Sequence, residues 1–245
     1  MRNFQIPLKN SVLLILVVLL LSCSEGPEEV ETNTLTFTFT AQIGASDLVF
    51  ESQKYLTANN QTVTIDRINI YLSNVTLGNK SSGIIFSEKE SYHLLKFDKD
   101  RGEATFNIEG VPADLSIDEI TFSIGIDPEA NTSIDNFGDL DPANGMAWDW
   151  NTGYKFFFLE GGFFPDNTSE RNDLVMHIGT NDNYFTKVWE LPEQKNMLEH
   201  HTVHFIMNGL APFGFMDFNE NTVFQFGPDA DRIAQNYKNL LFELK

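Results

Sequence analysis

Apolar and polar residues alternate at every second position through most of this chain, and this period is what most limits its fold. Leu35, Phe37 and Phe39 alternate with threonines, and residues 68–72, 120–126, 174–178 and 203–207 repeat the pattern. Side chains at every second position of an extended strand share one face, so each run predicts a strand buried on one side. Short strands separated by Gly, Asn, Asp and Pro clusters predict an all-β, antiparallel β-sandwich-like domain over residues 34–245.

One helix is predicted, at the C-terminus. Pro228 suits the first position of a helix, and Asp229 and Asp231 complement the positive end of its dipole. The apolar residues that follow fall on a single helical stripe: Ile233, Ala234, Tyr237, Leu240, Leu241 and Leu244. We therefore expect a helix that extends to the last turn of the chain and covers the sandwich.

The first 33 residues carry the features of export. Arg2 and Lys9 precede the apolar run 11–21, which is short for a membrane span but typical of a signal peptide over residues 1–22. Residues 20–23, Leu-Leu-Ser-Cys, resemble a bacterial lipobox, so we predict lipidation at Cys23. Residues 23–33 then form an acidic tether, similar to the surface-export signals of Bacteroidetes lipoproteins. We expect a bacterial cell-envelope protein anchored by lipid to the outer membrane, on its periplasmic or surface face.

Charge and cysteine content exclude several classes of function. The chain has 35 Asp and Glu residues against 16 Lys and Arg, a formal net charge of −19. Such a surface repels nucleic acid and favours cations or basic partners, so we expect no nucleic-acid partner. Because Cys23 is the only cysteine, the exported domain has no disulfide, no thiolate metal site and no cysteine nucleophile.

Two tryptophans stand close together in the middle of the chain. Trp148 and Trp150 follow an acidic, turn-rich stretch and precede the nearly all-apolar run 154–159. Two residues apart in an extended backbone, both indoles would point to the same side. Two interpretations stay open, namely a pair of rings displayed at a site and ordinary packing in the core.

Two groups of polar residues offer alternative metal sites. His200 and His204 would share a face on a helix, but the alternation through residues 203–207 predicts a strand that separates them. Oxygen donors suited to calcium lie between Asp127 and Asp141, without the spacing of an EF-hand loop: Asn131, Asp135, Asn136 and Asp139. Residues of these types also form turns.

No catalytic residue is assigned from the sequence. It contains no nucleophile elbow, phosphate-binding loop, His-Glu-x-x-His motif or dinucleotide fingerprint. We therefore expect a protein that is not an enzyme. Two other classes stay open: a calcium-stabilised surface interaction or glycan-binding β-sandwich, which exposed tryptophans would favour, and a surface hydrolase, which a cleft with two carboxylates would favour.

A series of short motifs occurs in a fixed order along the predicted domain. They are Ile70-Tyr-Leu-Ser-Asn-Val75, Tyr92-His-Leu94, Phe122-Ser-Ile-Gly-Ile-Asp127, Leu140-Asp-Pro142 with Gly145-Met146, Trp148-Asp-Trp-Asn-Thr-Gly-Tyr154, Leu159-Glu-Gly161, His177-Ile-Gly179 and the segment 227–237. Together they resemble the methanobactin-associated copper-binding (MbnP-like) proteins. The resemblance implies an exported β protein that binds copper, and a di-haem peroxidase-like partner that oxidises a tryptophan to kynurenine.

The resemblance also implies a set of site residues. His93 and His177 match the family's imidazole donors, Met146 is a weaker soft donor, and Trp148 or Trp150 is the ring to be oxidised. Indole nitrogen is a poor ligand, whereas kynurenine offers an aniline nitrogen and a carbonyl oxygen. We expect both histidines to converge near the tryptophans on one copper ion, with binding that weakens below about pH 6.

Two positions depart from the family pattern. Residue 147 is Ala where many relatives carry an aromatic residue, and residues 220–224 lack a histidine that some members have.

Overall fold

The computed structural model describes residue 1 and residues 31–133, 137–148, 153–165, 169–197 and 202–245. The predicted lipidation site Cys23 lies outside these residues, and so do Asp135, Asn136, Trp150 and His200. No helix among the described residues is long and apolar enough to cross a membrane. Residues 31–245 fold as one compact unit.

Two mixed sheets form a β-sandwich-like fold, which confirms the predicted class. The strands are β1 (Thr32–Ile43), β2 (Ser46–Asp47), β3 (Tyr55–Leu56), β4 (Thr62–Asn79), β5 (Gly83–Ser87), β6 (Tyr92–Asp98), β7 (Glu103–Pro112), β8 (Ser116–Ile124), β9 (Lys155–Phe164), β10 (Asn172–Gly179), β11 (Phe185–Asn196), β12 (Thr202–Asn208), β13 (Val223–Phe224) and β14 (Phe242–Leu244), with one α-helix, α1 (Pro228–Leu240). In the described chain the small sheet contains β1, β2, β7, β12 and β14, and the large sheet contains the other nine strands.

The pairing is mostly antiparallel, with two exceptions that the periodicity does not predict. β1 pairs with β12 in parallel, and β10 pairs with β13 in parallel. Both pairs join segments far apart in sequence, where no hairpin turn forces the antiparallel direction.

The long strand β4 organises the large sheet. β6 pairs with residues 67–73 of β4, while β9 pairs with residues 62–70 and β8 with residues 72–78. At Ile70 and Leu72, one edge of β4 is occupied by β6. The opposite edge of β4 pairs first with β9 and then, further along, with β8, because each strand has only two edges. In sequence, residues 125–154 connect β8 to β9, and their described parts are 125–133, 137–148, 153 and 154.

The central strands of the large sheet are covered on both faces. Its inner face packs on the small sheet, where Phe39 of β1 meets Phe122 of β8 with ring centroids 6.1 Å apart. Its outer face carries a second, smaller apolar cluster: Tyr71, Ile126, Leu140, Met146, Ala147, Tyr154, Phe156 and Phe158. The described residues between β8 and β9 therefore build a second core over the outer face, and the site described below lies at its margin.

The C-terminal helix is shorter than the apolar stripe predicted. Helix α1 ends at Leu240, and Phe242 to Leu244 form β14, which pairs with β12. Leu241 and Phe242 are buried in the main core while Leu240 is 62% exposed. The expectation of a helix through Leu244 is wrong because pairing with β12 buries these residues and also bonds their backbone. The helix buries Ile233, Ala234 and Tyr237 in the same core.

Candidate functional site

A line of aromatic and charged side chains runs along β9 and β10 on the outer face of the large sheet. We call this group the His177 face, and its members are Arg67, Trp148, Lys155, Phe158, Glu160 and His177. Phe158 pairs with His177 across the two strands, and their rings stack with centroids 4.2 Å apart. The Arg67 guanidinium also lies over the Phe158 ring, 4.7 Å from its centre.

His177 is a mostly buried imidazole in the neutral form. Its side chain is 12% exposed, and its Nε2 lies 3.3 Å from Oε1 of Glu160. Burial and then the nearby Lys155 ammonium lower the pKa of His177 to about 4, although Glu160 acts in the opposite direction. A neutral imidazole is the form that binds metals. The onset of proton competition therefore moves below the pH of about 6 expected from an ordinary histidine.

Glu160 is shared between the histidine and an arginine. Its Oε2 accepts a hydrogen bond from Nη2 of Arg67 at 2.7 Å, and its Oε1 faces His177. The carboxylate is therefore held in place on the face through one oxygen, because Nε of Arg67 also donates to Oε2 at 3.0 Å.

Lys155 is a buried cation in the apolar strand β9. Its Nζ donates to the backbone carbonyls of Gly145 at 3.1 Å and Ala147 at 3.0 Å. The same ammonium lies 5.4 Å from the Trp148 ring centre and 5.9 Å from the Phe158 ring centre. Lys155 thus ties the residues before β9 to the sheet and places a positive charge between Trp148 and Phe158.

Trp148 is a packed ring rather than an exposed platform. It is 4% exposed, its Nε1 donates to the carbonyl of Tyr154 at 3.1 Å, and its ring lies 4.8 Å from that of Phe226. A Cβ atom at Gly179 would stand 3.0 Å from Nε1 of Trp148, so glycine allows the indole to lie against β10. Gly179 is two residues from His177, which puts Trp148 and His177 at one end of the same face.

His93 lies on the other face of the large sheet. It pairs with Leu72, a residue of the main core, and its ring stacks on Phe106 of the small sheet at 3.8 Å. Its Nε2 is 2.7 Å from Oε2 of Glu88, which also accepts a hydrogen bond from Ser91 at 2.6 Å. The prediction that His93 and His177 converge on one ion is wrong, because paired side chains share a face and these two histidines project to opposite faces.

The remaining predicted metal donors are not grouped with His177 in the described residues. Met146 is fully buried in the second core, and its carbonyl accepts a hydrogen bond from the Lys155 backbone at 2.7 Å. Trp150 lies outside the described residues, and so does His200 of the predicted His200 and His204 pair. His204 stands on strand β12, as the alternation predicts.

An acidic cleft of about 720 Å³ lies beside Tyr92 and the start of the segment 125–154. Asp127 accepts hydrogen bonds from Tyr92 at 2.7 Å and from two backbone amides, and Asp139 accepts one from the Leu94 amide at 2.7 Å. Burial raises the pKa of Asp127, but these hydrogen bonds outweigh it and hold the pKa below its usual value. The two carboxylates thus serve as acceptors that order the loop.

Within the residues that the structure describes, no three His, Cys, Asp or Glu side chains are grouped so as to hold a metal ion. The calcium site predicted between Asp127 and Asp141 includes Asp135 and Asn136, which lie outside those residues, so it stays a prediction. Asn131 supports the fold by accepting a hydrogen bond from the Tyr154 amide at 2.9 Å.

Comparison with known proteins decides the family. Residues 32–229 match the family model described as MbnP. The chain belongs to the MbnP family. Among solved structures, MbnP from Methylosinus trichosporium superposes with a TM-score of 0.59 at 16% sequence identity, over 83% of this chain and 88% of that chain. At that identity the likeness to the solved MbnP shows the shared fold alone. No curated protein matches this chain.

Four members of the His177 face were not predicted as site residues: Arg67, Lys155, Phe158 and Glu160. Lys155 left a signal in the sequence, since it is the single charge between Tyr154 and Leu159 in an otherwise apolar run. A charged residue in a buried strand must find polar partners, so it marks a special position. Arg67 and Glu160 left no such signal, because alternating charged residues on a strand normally face water.

Proposed function

We propose that this chain is an exported, lipid-anchored copper-binding protein of the MbnP family, with its site on the His177 face. The observation that carries this proposal is that Trp148 and His177 lie together at one end of one face of a family member. This position supports the family expectation that a histidine and an oxidisable tryptophan belong to one site.

The residues of this face suit copper in their chemistry. His177 supplies a neutral imidazole, and Glu160 supplies a carboxylate beside it at 3.3 Å. Two donors are fewer than a closed site requires, and Trp148 in its unmodified form adds none. Oxidised to kynurenine, Trp148 would add an aniline nitrogen and a carbonyl oxygen, so the described donors fit copper as part of a site completed by that modification.

A separate protein would carry out the oxidation of Trp148. The ring is nearly enclosed, with Phe226 on one side and Lys155 on another. An enclosed ring favours removal of electrons by a docked partner over insertion of the ring into a foreign active site. A di-haem peroxidase-like protein is the partner that the family resemblance implies, and we carry it into the proposal.

Copper binding by single-histidine variants tests the proposal. Protein from a native host is titrated with copper against a chelator of known affinity, and the wild type is compared with His177→Ala, His93→Ala and His204→Ala. We expect His177→Ala to lose at least tenfold in affinity, because even the loss of a group that only orients a ligand commonly costs about that much. His93→Ala and His204→Ala should keep the wild-type affinity, and equal loss in His93→Ala would place the site elsewhere.

The mass of the same protein tests the modification. Conversion of one tryptophan to kynurenine removes one carbon and adds one oxygen, a gain of roughly 4 Da. Peptide mapping should locate the gain at Trp148, and Trp148→Phe should abolish it. An unmodified Trp148 together with wild-type copper affinity would remove kynurenine from the site while leaving His177 in it.

A further inference from the structure

The Trp148 indole lies between two walls that come from different elements. Gly179, the last residue of β10, touches it so closely that a Cβ atom there would stand 3.0 Å from Nε1. Phe226 packs on the ring with centroids 4.8 Å apart, two positions before Pro228, the first residue of α1. The position of the indole therefore depends on how the end of β10 and the start of α1 are held relative to each other.

The side chain of Asn183 bonds to both of these elements. Asn183 is 3% exposed, and its Nδ2 donates to the carbonyl of Gly179 at 3.0 Å. The same nitrogen donates to Oδ1 of Asp231, in the first turn of α1, at 3.1 Å. An amide nitrogen carries two hydrogens, so it can hold both acceptors at once. Loss of either bond would leave a buried donor unpaired, and Asn183 therefore acts as a brace between β10 and α1.

The turn that follows Gly179 has a strained backbone. Thr180 has a φ of 77° and a ψ of 146°, a conformation that β-branched residues rarely adopt. Strain of this kind persists only where surrounding bonds hold it, and it often marks a functional position. The backbone amide of Asn183 donates to the Thr180 carbonyl at 3.0 Å, and its Nδ2 lies 3.4 Å from the Thr180 hydroxyl. Asn183 therefore also holds the strained turn beside the indole.

Resting on the proposed function, we propose that Asn183 is a positioning residue for Trp148. It acts on the indole through Gly179 and through the start of α1, and it keeps Nε1 of the ring on the carbonyl of Tyr154. Without this brace the indole leaves that carbonyl more often. Modification of the ring then becomes less efficient, because the reacting group no longer has one orientation.

Hydrogen exchange at the indole nitrogens tests this role. Protein made without the partner carries ordinary tryptophan, and ¹⁵N-indole labelling gives an N–H resonance for each of the three tryptophans of the chain. Trp148→Phe identifies the resonance of Trp148. In Asn183→Ala this N–H should exchange with solvent about tenfold faster, because its hydrogen bond opens more often. The indole of Trp189 lies in the main core and should keep its wild-type rate, so it reports any general loss of stability.

Two kinds of control separate the brace from burial of an amide in general. Asn79 is a buried asparagine that donates to the Ser116 carbonyl at 3.1 Å, and Asn79→Ala should leave the rate of Trp148 unchanged. Asp231→Ala removes only the α1 acceptor and should accelerate exchange by a smaller factor. Asp231→Asn keeps an acceptor oxygen and should restore the wild-type rate. Because Asp231 is exposed, these variants decide the matter if Asn183→Ala fails to fold.

The outcomes are distinct. Equal acceleration of Trp148 and Trp189 in Asn183→Ala, or no acceleration of Trp148, overturns the positioning role. If Asn183→Ala does not fold, a wild-type rate in Asp231→Ala overturns it equally.

The mass of residue 148 gives a separate readout. In protein from a native host, Asn183→Ala should carry less kynurenine at this position than the wild type, and an equal yield overturns the role of Asn183 in the modification. A wild type without kynurenine refutes that part of the proposed function, and the exchange rates still decide whether Asn183 positions Trp148.

Discussion

At the scale of single residues, burial decides the chemistry of the face. His177 has a pKa of about 4 because burial and the Lys155 ammonium both disfavour its charged form. In the unfolded chain an ordinary histidine titrates near 6.5. When the pKa of a histidine is lower in the folded state, the unfolded chain takes up the proton at a higher pH than the folded protein does. The free energy of unfolding therefore falls as the pH drops between these two values.

This shift predicts a pH-dependent stability. Between about pH 6.5 and pH 4 the free energy of unfolding should fall by up to roughly 3 kcal/mol on account of His177. Denaturant unfolding across this range measures it, with His177→Asn as the matched variant. The variant should show a shallower slope over the same range, and an equal slope in both proteins would contradict the assigned pKa.

A buried tyrosine hydroxyl offers a second residue-scale test. The hydroxyl of Tyr237 is buried with no hydrogen-bond partner in the described part of the chain, whereas that of Tyr71 donates to the Asp139 carbonyl at 2.6 Å. An unpaired buried hydroxyl costs about 1–3 kcal/mol. Tyr237→Phe should therefore raise the free energy of unfolding by about 1 kcal/mol and Tyr71→Phe should lower it by a similar amount. Thermal melts of both variants measure this, and a loss in Tyr237→Phe would mean that its hydroxyl does have a partner.

At the scale of elements, the apolar periodicity of the sequence does not predict where α1 ends. Leu240, Leu241 and Leu244 fit one helical stripe, yet only Leu241 is buried by the helix end and Leu244 belongs to β14. Phe242, which the stripe leaves out, is 4% exposed and contacts Phe39 with ring centroids 5.1 Å apart. A partner strand far away in sequence decided the structure of these residues.

Side-chain truncation distinguishes the strand from a longer helix. Phe242→Ala should lower the free energy of unfolding by about 3–5 kcal/mol because it empties a space between the sheets. Leu240→Ala should change it by less than about 0.5 kcal/mol because that side chain faces solvent. Denaturant midpoints of the two variants give the comparison. A larger effect in Leu240→Ala would support the helix that the stripe predicted.

The same limit explains the misplaced histidine. The strands were predictable because alternation is local, but the face that each strand turns to the core depends on its partners. In β6 both Leu94 and Leu95 are apolar, so the sequence does not say whether His93 shares the inner or the outer face. Pairing with Leu72 settles it, since that residue lies in the main core. His177, flanked by the buried Met176 and Ile178, was easier to place.

At the scale of the whole molecule, the predicted export signal precedes a compact domain whose first strand begins at Thr32. If Cys23 carries the lipid, Cys23→Ala should move the protein from the membrane fraction to the soluble fraction, because loss of acylation removes the anchor. Cell fractionation followed by immunoblotting measures this, with Ser24→Ala as the neighbouring control. A variant that stays with the membrane fraction would refute lipid anchoring.

The proposed copper site is the His177 face and not a pair of convergent histidines. Nitrogen resonances of the imidazoles report it directly when ¹⁵N-histidine-labelled protein with its native modification is titrated with Cu(I). The ring nitrogens of His177 should shift and saturate at one equivalent, while those of His93 and His204 keep their positions. Shifts of His93 and His177 together, or of neither, would contradict the claim.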